Sequence, residues 1–252
     1  MALLFPNPYK SSGSTTIVTK YFLTFPAIVF FIVLPAYGQS EWAAEVELGM
    51  ILTAGNTRSQ ALNSRTKITR SQTRWRHTAR LDIFSSASQG RTTAERYAAD
   101  FQADRRTSTA NFFSFNLNYE KNRFTGIRER SGLAVAYGRR LFDQPAVVAD
   151  VEIGPGFRKT RRTNAQVDEV GTLRTRFHLR WQPYNHATLT HEDLLEAGED
   201  TVTSKSTTAF VLKINNHLAM KTALEISHNS NVAPDIRKTD SQTSLTLVYT
   251  MH

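Results

Sequence analysis

Beyond residue 40 the chain alternates apolar and polar residues with a period of two, and clusters of Gly, Asn, Asp, Pro and Ser interrupt the alternation at intervals. Such a pattern puts one parity on each side of a β-sheet, so it predicts strands with one apolar and one polar face. Twelve segments fit: Trp42 to Ala54, Ser59 to Arg70, Trp75 to Ser85, Thr93 to Arg105, Asn111 to Asn122, Arg130 to Leu141, Val147 to Arg158, Val170 to Gln182, Ala187 to Ala197, Ser204 to Leu218, Thr222 to Asn229, and Thr239 to Met251. Each is close to the length at which a tilted strand crosses a bilayer.

The two faces are sharply separated. In the fifth segment Phe113, Phe115, Leu117 and Tyr119 oppose Ser114, Asn116, Asn118 and Glu120, and in the eighth Leu173, Phe177, Leu179 and Trp181 oppose Arg174, Arg176, His178 and Arg180. A soluble sandwich shares this period, with its apolar face turned inward. Two features favour a membrane barrel instead. Gaps after the even-numbered segments are short and those after the odd-numbered ones mostly longer, the asymmetry of outer-membrane barrels, with both termini on the periplasmic side. Trp42, Trp75 and Trp181 all fall at that same rim, where an interfacial aromatic girdle is expected. The fold predicted is therefore an all-β transmembrane antiparallel barrel.

The leading 40 residues differ from the rest. Their only charges are Lys10 and Lys20, an apolar stretch runs from Tyr21 to Leu34, and Ala36-Tyr37-Gly38 offers small residues for cleavage. A secretory signal peptide over residues 1–38 is expected, ahead of a barrel domain over 39–252; the apolar stretch, broken by Pro26, falls short of the roughly 20 residues of a spanning helix. No Cys occurs, which excludes disulfides, thiolate metal sites, a Cys nucleophile and a lipidated N-terminal Cys. Without the two leader lysines the net charge falls from +9 to +7, and the remaining Lys and Arg are scattered rather than gathered in a patch, so nucleic acid is not an expected partner. No cofactor is implied. The expected partners are outer-membrane lipid and lipopolysaccharide, with the chain a monomer.

Several stretches, in order, carry a family resemblance: Glu47-Leu48-Gly49 with Gly55-Asn56-Thr57, Thr93-Ala94-Glu95-Arg96-Tyr97, Tyr119-Glu120-Lys121-Asn122-Arg123-Phe124, Gly138-Arg139-Arg140-Leu141, Gly154-Pro155-Gly156, Lys213-Ile214-Asn215, His228-Asn229-Ser230 and Thr246-Leu247-Val248-Tyr249. Across residues 41–251 the chain resembles the salt-induced outer-membrane proteins (YdiY-like), a family grouped as a domain of unknown function. The resemblance implies an exported Gram-negative outer-membrane barrel and assigns it no activity. It also implies delivery to the barrel-assembly machinery through the last strand, although Tyr249-Thr250-Met251-His252 stands where the family has a terminal Phe.

Folding neighbouring segments back on one another predicts the interior. About Gly55-Asn56-Thr57, Glu47 meets Arg65 and Glu45 meets Lys67; about Asn164, Glu152 meets Arg176 and Asp150 meets His178; about Tyr184, Arg176 meets Glu192. With Arg174 and Arg180 these form a charged lumen, read either as a salt-bridged plug or as a narrow, ion-selecting constriction. Gly132, Ala134, Ala136 and Gly138, set against Gly154 and Gly156, predict open space beside the arginine ladder.

Little else suggests chemistry. The seven His lack metal-ligand spacing, and Gly154-Pro155-Gly156 lies inside a strand, where a bend or bulge is expected rather than a phosphate loop. His228-Asn229-Ser230-Asn231 resembles the His-x-Ser-Asn motif of lipid A deacylase barrels, in which His activates an interfacial Ser. The third member is missing: Gln242 stands near the position of the family's Glu, and an amide cannot stabilise an imidazolium as a carboxylate does. The function expected is thus a structural or narrow porin-like barrel without catalysis. The alternative is an interfacial acyl hydrolase using His228 and Ser230.

Overall fold

A chain whose residues alternate in polarity closes into a barrel when its first and last strands can pair, because closure leaves no backbone donor or acceptor at an open edge. The computed structural model has this form and describes residues 41–53, 59–88, 91–122, 127–199, 201–232 and 237–251. The signal peptide expected over residues 1–38, the Gly55-Asn56-Thr57 turn and the Arg123-Phe124 pair lie outside the described residues.

Twelve strands form one closed antiparallel sheet: β1 (Glu41–Thr53), β2 (Ser59–Ser71), β3 (Trp75–Ser88), β4 (Arg91–Arg106), β5 (Asn111–Asn122), β6 (Ile127–Gln144), β7 (Val147–Arg162), β8 (Val167–Tyr184), β9 (Ala187–Gly198), β10 (Val202–Lys213), β11 (Leu218–Asn229) and β12 (Thr239–Met251). Each strand pairs with its sequence neighbours, and β1 pairs with β12 from Ala44 opposite Met251 to Leu48 opposite Leu247.

The two faces separate as the alternation requires. On β5 Phe113, Phe115, Leu117 and Tyr119 are exposed, while Ser114 and Asn116 are buried; on β7 Val151, Ile153 and Phe157 are exposed, while Glu152 and Arg158 are buried. Charges inside and a largely apolar surface outside is the inverse of a water-soluble sandwich.

Several expected boundaries change, most clearly at two connections. β10 stops at Lys213 and β11 starts at Leu218, not at Leu218 and Thr222, because the Asn215 side-chain oxygen accepts from the N–H groups of His217 and Leu218, each at 2.9 Å, and closes a turn over Asn215-Asn216-His217. The β7–β8 ladder continues past the expected ends to Arg161 opposite Val167. There Lys159 meets Glu169 at 2.6 Å and Arg162 meets Asp168 at 2.7 Å. What looked like a long loop around Asn164 is therefore a tight turn, with Ala165 in the left-handed region at φ 68°. The expected contrast between rims narrows accordingly. At the rim opposite the termini the β11 to β12 connection, residues 230–238, is the longest.

The small-residue wall of β6 is not open space. The Phe112 ring turns inward, is 6% exposed, and lies against Gly138, where an added Cβ would overlap it; Asn118 stands against Gly132, and Thr172 against Gly156. A Cβ on Gly154 would run into the backbone of Val135 and Ala136, so this glycine permits a close approach of β7 to β6. The β6–β7 register is unshifted across Pro155: Ala134 opposes Gly156 and Tyr137 opposes Ile153. The bulges of this pair lie instead at Ile127/Glu129 and Arg140/Phe142.

Because the Phe112 ring occupies the space above Gly138, Gly138→Ala overpacks the lumen and is expected to cost about 1 to 3 kcal/mol in urea unfolding. Adding Phe112→Ala should return most of that loss. Equal midpoints for wild type and Gly138→Ala would refute the packing.

Candidate functional site: the charged lumen

Inward parity on β8 sets Arg174, Arg176, His178 and Arg180 in a row, and β7 answers with Glu152 opposite Arg176 and Asp150 opposite His178. Both β7 positions are buried, at 2% and 5% exposure, so these carboxylates require partners. Arg176 supplies one. Its Nη1 donates to Glu152 Oε1 at 2.9 Å and to Gln102 Oε1 at 3.3 Å, and its Nη2 donates to Glu192 Oε2 at 2.6 Å. Glu152 also accepts from Ser114 Oγ at 2.8 Å. Arg176 thus lies between two carboxylates, by a different route than expected. The turn is centred between Asn185 and His186 rather than on Tyr184, and together with a one-residue bulge between Trp181 and Tyr184 this sets Arg176 opposite Leu194 and His178 opposite Glu192, so the Arg176–Glu192 contact is diagonal. A guanidinium is long enough to make it.

Other expected pairs keep their register and change partners. Glu45 opposes Lys67 and bonds it at 3.4 Å. Glu47 opposes Arg65, yet Arg65 bonds Asp82 on β3, while Glu47 accepts from Lys221 of β11 at 2.8 Å. Asp150 opposes His178 but is held by Arg140 of β6 at 2.9 Å. Arg180 donates to Gln182 at 3.1 Å. Arg174 reaches Glu152 and Glu196 only at 3.8 and 3.9 Å; its Nε and Nη1 are buried without a hydrogen-bond partner, as is Arg130 Nε.

Contacts across the interior join strands that are not neighbours. Gln102 of β4 donates to Asp104 at 2.7 Å and to Glu152 of β7 at 3.4 Å, while Asp104 accepts from Arg76 at 2.8 Å. On another side Arg96 of β4 meets Glu225 of β11 at 3.2 Å, and Lys205 meets the same carboxylate at 3.0 Å. These struts narrow the lumen. Sequence reasoning missed Asp82, Gln102, Asp104, Arg96, Lys221 and Glu225. Their inward parity could have marked each as lumenal, but periodicity gives no signal for which residues meet across a barrel.

The remaining sites are separate from this network. Trp42 lies under the Arg70 guanidinium at 5.2 Å and Trp75 under that of Arg105 at 5.8 Å; Trp75 and Trp181 are exposed at the same rim. His228 is on the outward parity, its Nδ1 2.8 Å from Thr239 Oγ1, whereas Ser230 Oγ accepts from the Val202 N–H at 2.8 Å. Among the described residues no hydrogen bond joins His228 to Ser230. Asp240 and Gln242 both sit on the inward parity of β12.

Residues 46–251 match the family described as protein of unknown function, DUF481. The "Uncharacterized protein YdiY" of Escherichia coli (strain K12) is 27% identical over 227 residues, covering 86% of each chain. Among solved structures the NanC porin superposes with a TM-score of 0.54 at 8% identity, covering 83% of this chain and all of that one. The KdgM porin in complex with disordered oligogalacturonate gives 0.47 at 8% identity, covering 83% and 99%. The likeness to the NanC porin is one of fold alone.

Arg176→Gln leaves Glu152 and Glu192 facing each other without their shared cation. Partial contact of Glu192 with solvent lowers the cost below that of a dry pair, to about 2 to 4 kcal/mol in unfolding free energy. Glu152→Gln introduced with Arg176→Gln should recover part of it. An unchanged midpoint in Arg176→Gln would mean that the residue is a solvated wall charge.

Proposed function

The chain belongs to the family described as protein of unknown function, DUF481, and from that membership and the barrel's interior we propose that it is an exported outer-membrane protein with a narrow, porin-like lumen that passes water and small ions. The observation carrying this reading is Arg174, whose side chain is 5% exposed and whose Nε and Nη1 find no hydrogen bond within the protein. In a static, dry plug each such donor would cost about 1 to 3 kcal/mol, so the side chains around Arg174 are taken to part far enough to admit water or an anion to it. The lumen is bridged by struts rather than sealed by apolar side chains. Arg174, Arg176 and Arg180 stand in one row with acids on both flanking strands, and the orphaned donors of Arg174 make anions the favoured traffic.

Catalysis is not part of this proposal. Ser230 caps a backbone N–H, and the outward neighbours of His228 on β12 are Thr239 and Ser241, neither able to orient an imidazolium. Residues 1–38 are proposed to direct export and to be removed.

Two measurements test this reading. Refolded protein in a planar bilayer should conduct weakly with a reversal potential favouring anions. Arg174→Gln should move that potential toward cations, and Glu152→Gln with Glu192→Gln should move it further toward anions; no current above that of the empty bilayer would overturn the porin-like reading. An epitope inserted at Asn164 should be labelled on intact cells, and labelling only after the outer membrane is broken would overturn the orientation.

A further inference from the structure

The outward face of the barrel is apolar around β5, β6 and β7, where Phe113, Leu117, Val135, Tyr137, Ile153 and Phe157 meet lipid. Midway along β9 the same face carries two ionisable side chains, His191 and Asp193, between Leu189 and Leu195. Outward parity is fixed by the ladder, since His191 opposes Thr208 and Leu179, and Asp193 opposes Ser206 and Phe177. His191 Nδ1 lies 2.9 Å from Thr208 Oγ1, and Nε2 lies 2.9 Å from Asp193 Oδ2. One imidazole tautomer serves both contacts, accepting from the hydroxyl and donating to the carboxylate. The Asp193 side chain nevertheless remains 51% exposed, toward acyl chains that offer it no hydrogen bond.

Hydroxyl, imidazole and carboxylate in series resemble a nucleophile with its base and acid, but the strand N–H groups around them are engaged in the sheet ladder, which leaves no backbone donor for an oxyanion. A different use fits the surface. We propose that the outward patch of His191, Asp193, Ser206 and Thr208 is the contact by which two copies of this chain associate within the membrane. An ionisable side chain at bilayer depth takes a partner, and small hydroxyl residues let two backbones approach closely. The patch carries the Asp193 acceptor and the His191 Nε2 donor two residues apart, so a two-fold axis beside it lets each Nε2 exchange its own carboxylate for that of the other copy while Nδ1 keeps Thr208; such a contact is self-complementary and closes at two. Acyl chains supply neither group, and an anionic headgroup is repelled by Asp193. The dimer replaces the monomer that the sequence suggests, and it does not depend on whether the lumen conducts.

The absence of cysteine makes the test direct. Ser206→Cys and, on the far side of the barrel, Leu117→Cys are placed singly in the full chain, and membranes from cells producing them are treated with a short bifunctional maleimide. Ser206→Cys should give a product of twice the chain mass, several-fold more than Leu117→Cys. In mild detergent, light scattering should give wild type twice the mass of the His191→Leu, Asp193→Leu double variant, with the strand signal in circular dichroism retained by both. Equal cross-linking at the two positions overturns the proposal. So does a wild type of single-chain mass, or an adduct of Ser206→Cys with a different protein. Should the double variant fail to fold, the cross-linking comparison decides alone.

Discussion

Every peptide group placed in hydrocarbon must find a partner within the protein, and the pairing of β1 with β12 is what makes that achievable here. Closure fixes the parity of all twelve strands together. Once Ala44 opposes Met251 and Glu45 opposes Thr250, a residue's place in the chain decides whether it meets lipid or lumen. A slip of one residue in any pair would exchange the two sets, placing charges in the bilayer and aromatic rings in the interior. The separation of faces is therefore a consequence of backbone satisfaction, and the side chains confirm a register that the ladder already imposes.

Inside, confinement changes what pairing means. On an open sheet an ion pair is expected between residues directly opposite, but in a closed ring a long side chain reaches diagonal and transverse neighbours equally well. Glu47 finds Lys221 on β11 although Arg65 stands opposite, and Gln102 spans from β4 to Glu152 on β7. The resulting interior is neither an open pore nor a dry core. Its carboxylates are held by several donors at once, while Arg174 retains donors that the protein leaves unsatisfied.

Strand number, faces and most pairings were legible because they follow from a period of two and from the centres of turns. Glu45 with Lys67 and Glu152 with Arg176 needed nothing more. The errors have local causes. The β8–β9 register moved because the turn is centred past Tyr184 and a bulge at Trp181/Tyr184 takes up one residue, neither of which alternation encodes. The Asn215 turn was hidden because Ile214 and Leu218 on either side are apolar. Phe112, on the inward parity of β5, filled a wall that small residues alone had suggested was open. Transverse contacts such as Arg96 with Glu225 were beyond reach, since they depend on the curvature of the ring.

The outward pair on β9 bears on the same constraint. Sliding β9 by one residue would carry His191 and Asp193 into the lumen, but it would turn Glu192 and Glu196 into the bilayer and break their contacts with Arg176 and Arg158. Two carboxylates would then face lipid in place of one, so the register holds as it is. Parity does not require polar residues at those two positions, however. Leu189 and Leu195 flank them on the same face, and leucine at either would leave every lumenal bond intact, since neither side chain points inward. A polar pair at bilayer depth that the lumen does not need, bounded by hydroxyl side chains on β10, is accounted for by a surface that meets another protein surface and not lipid.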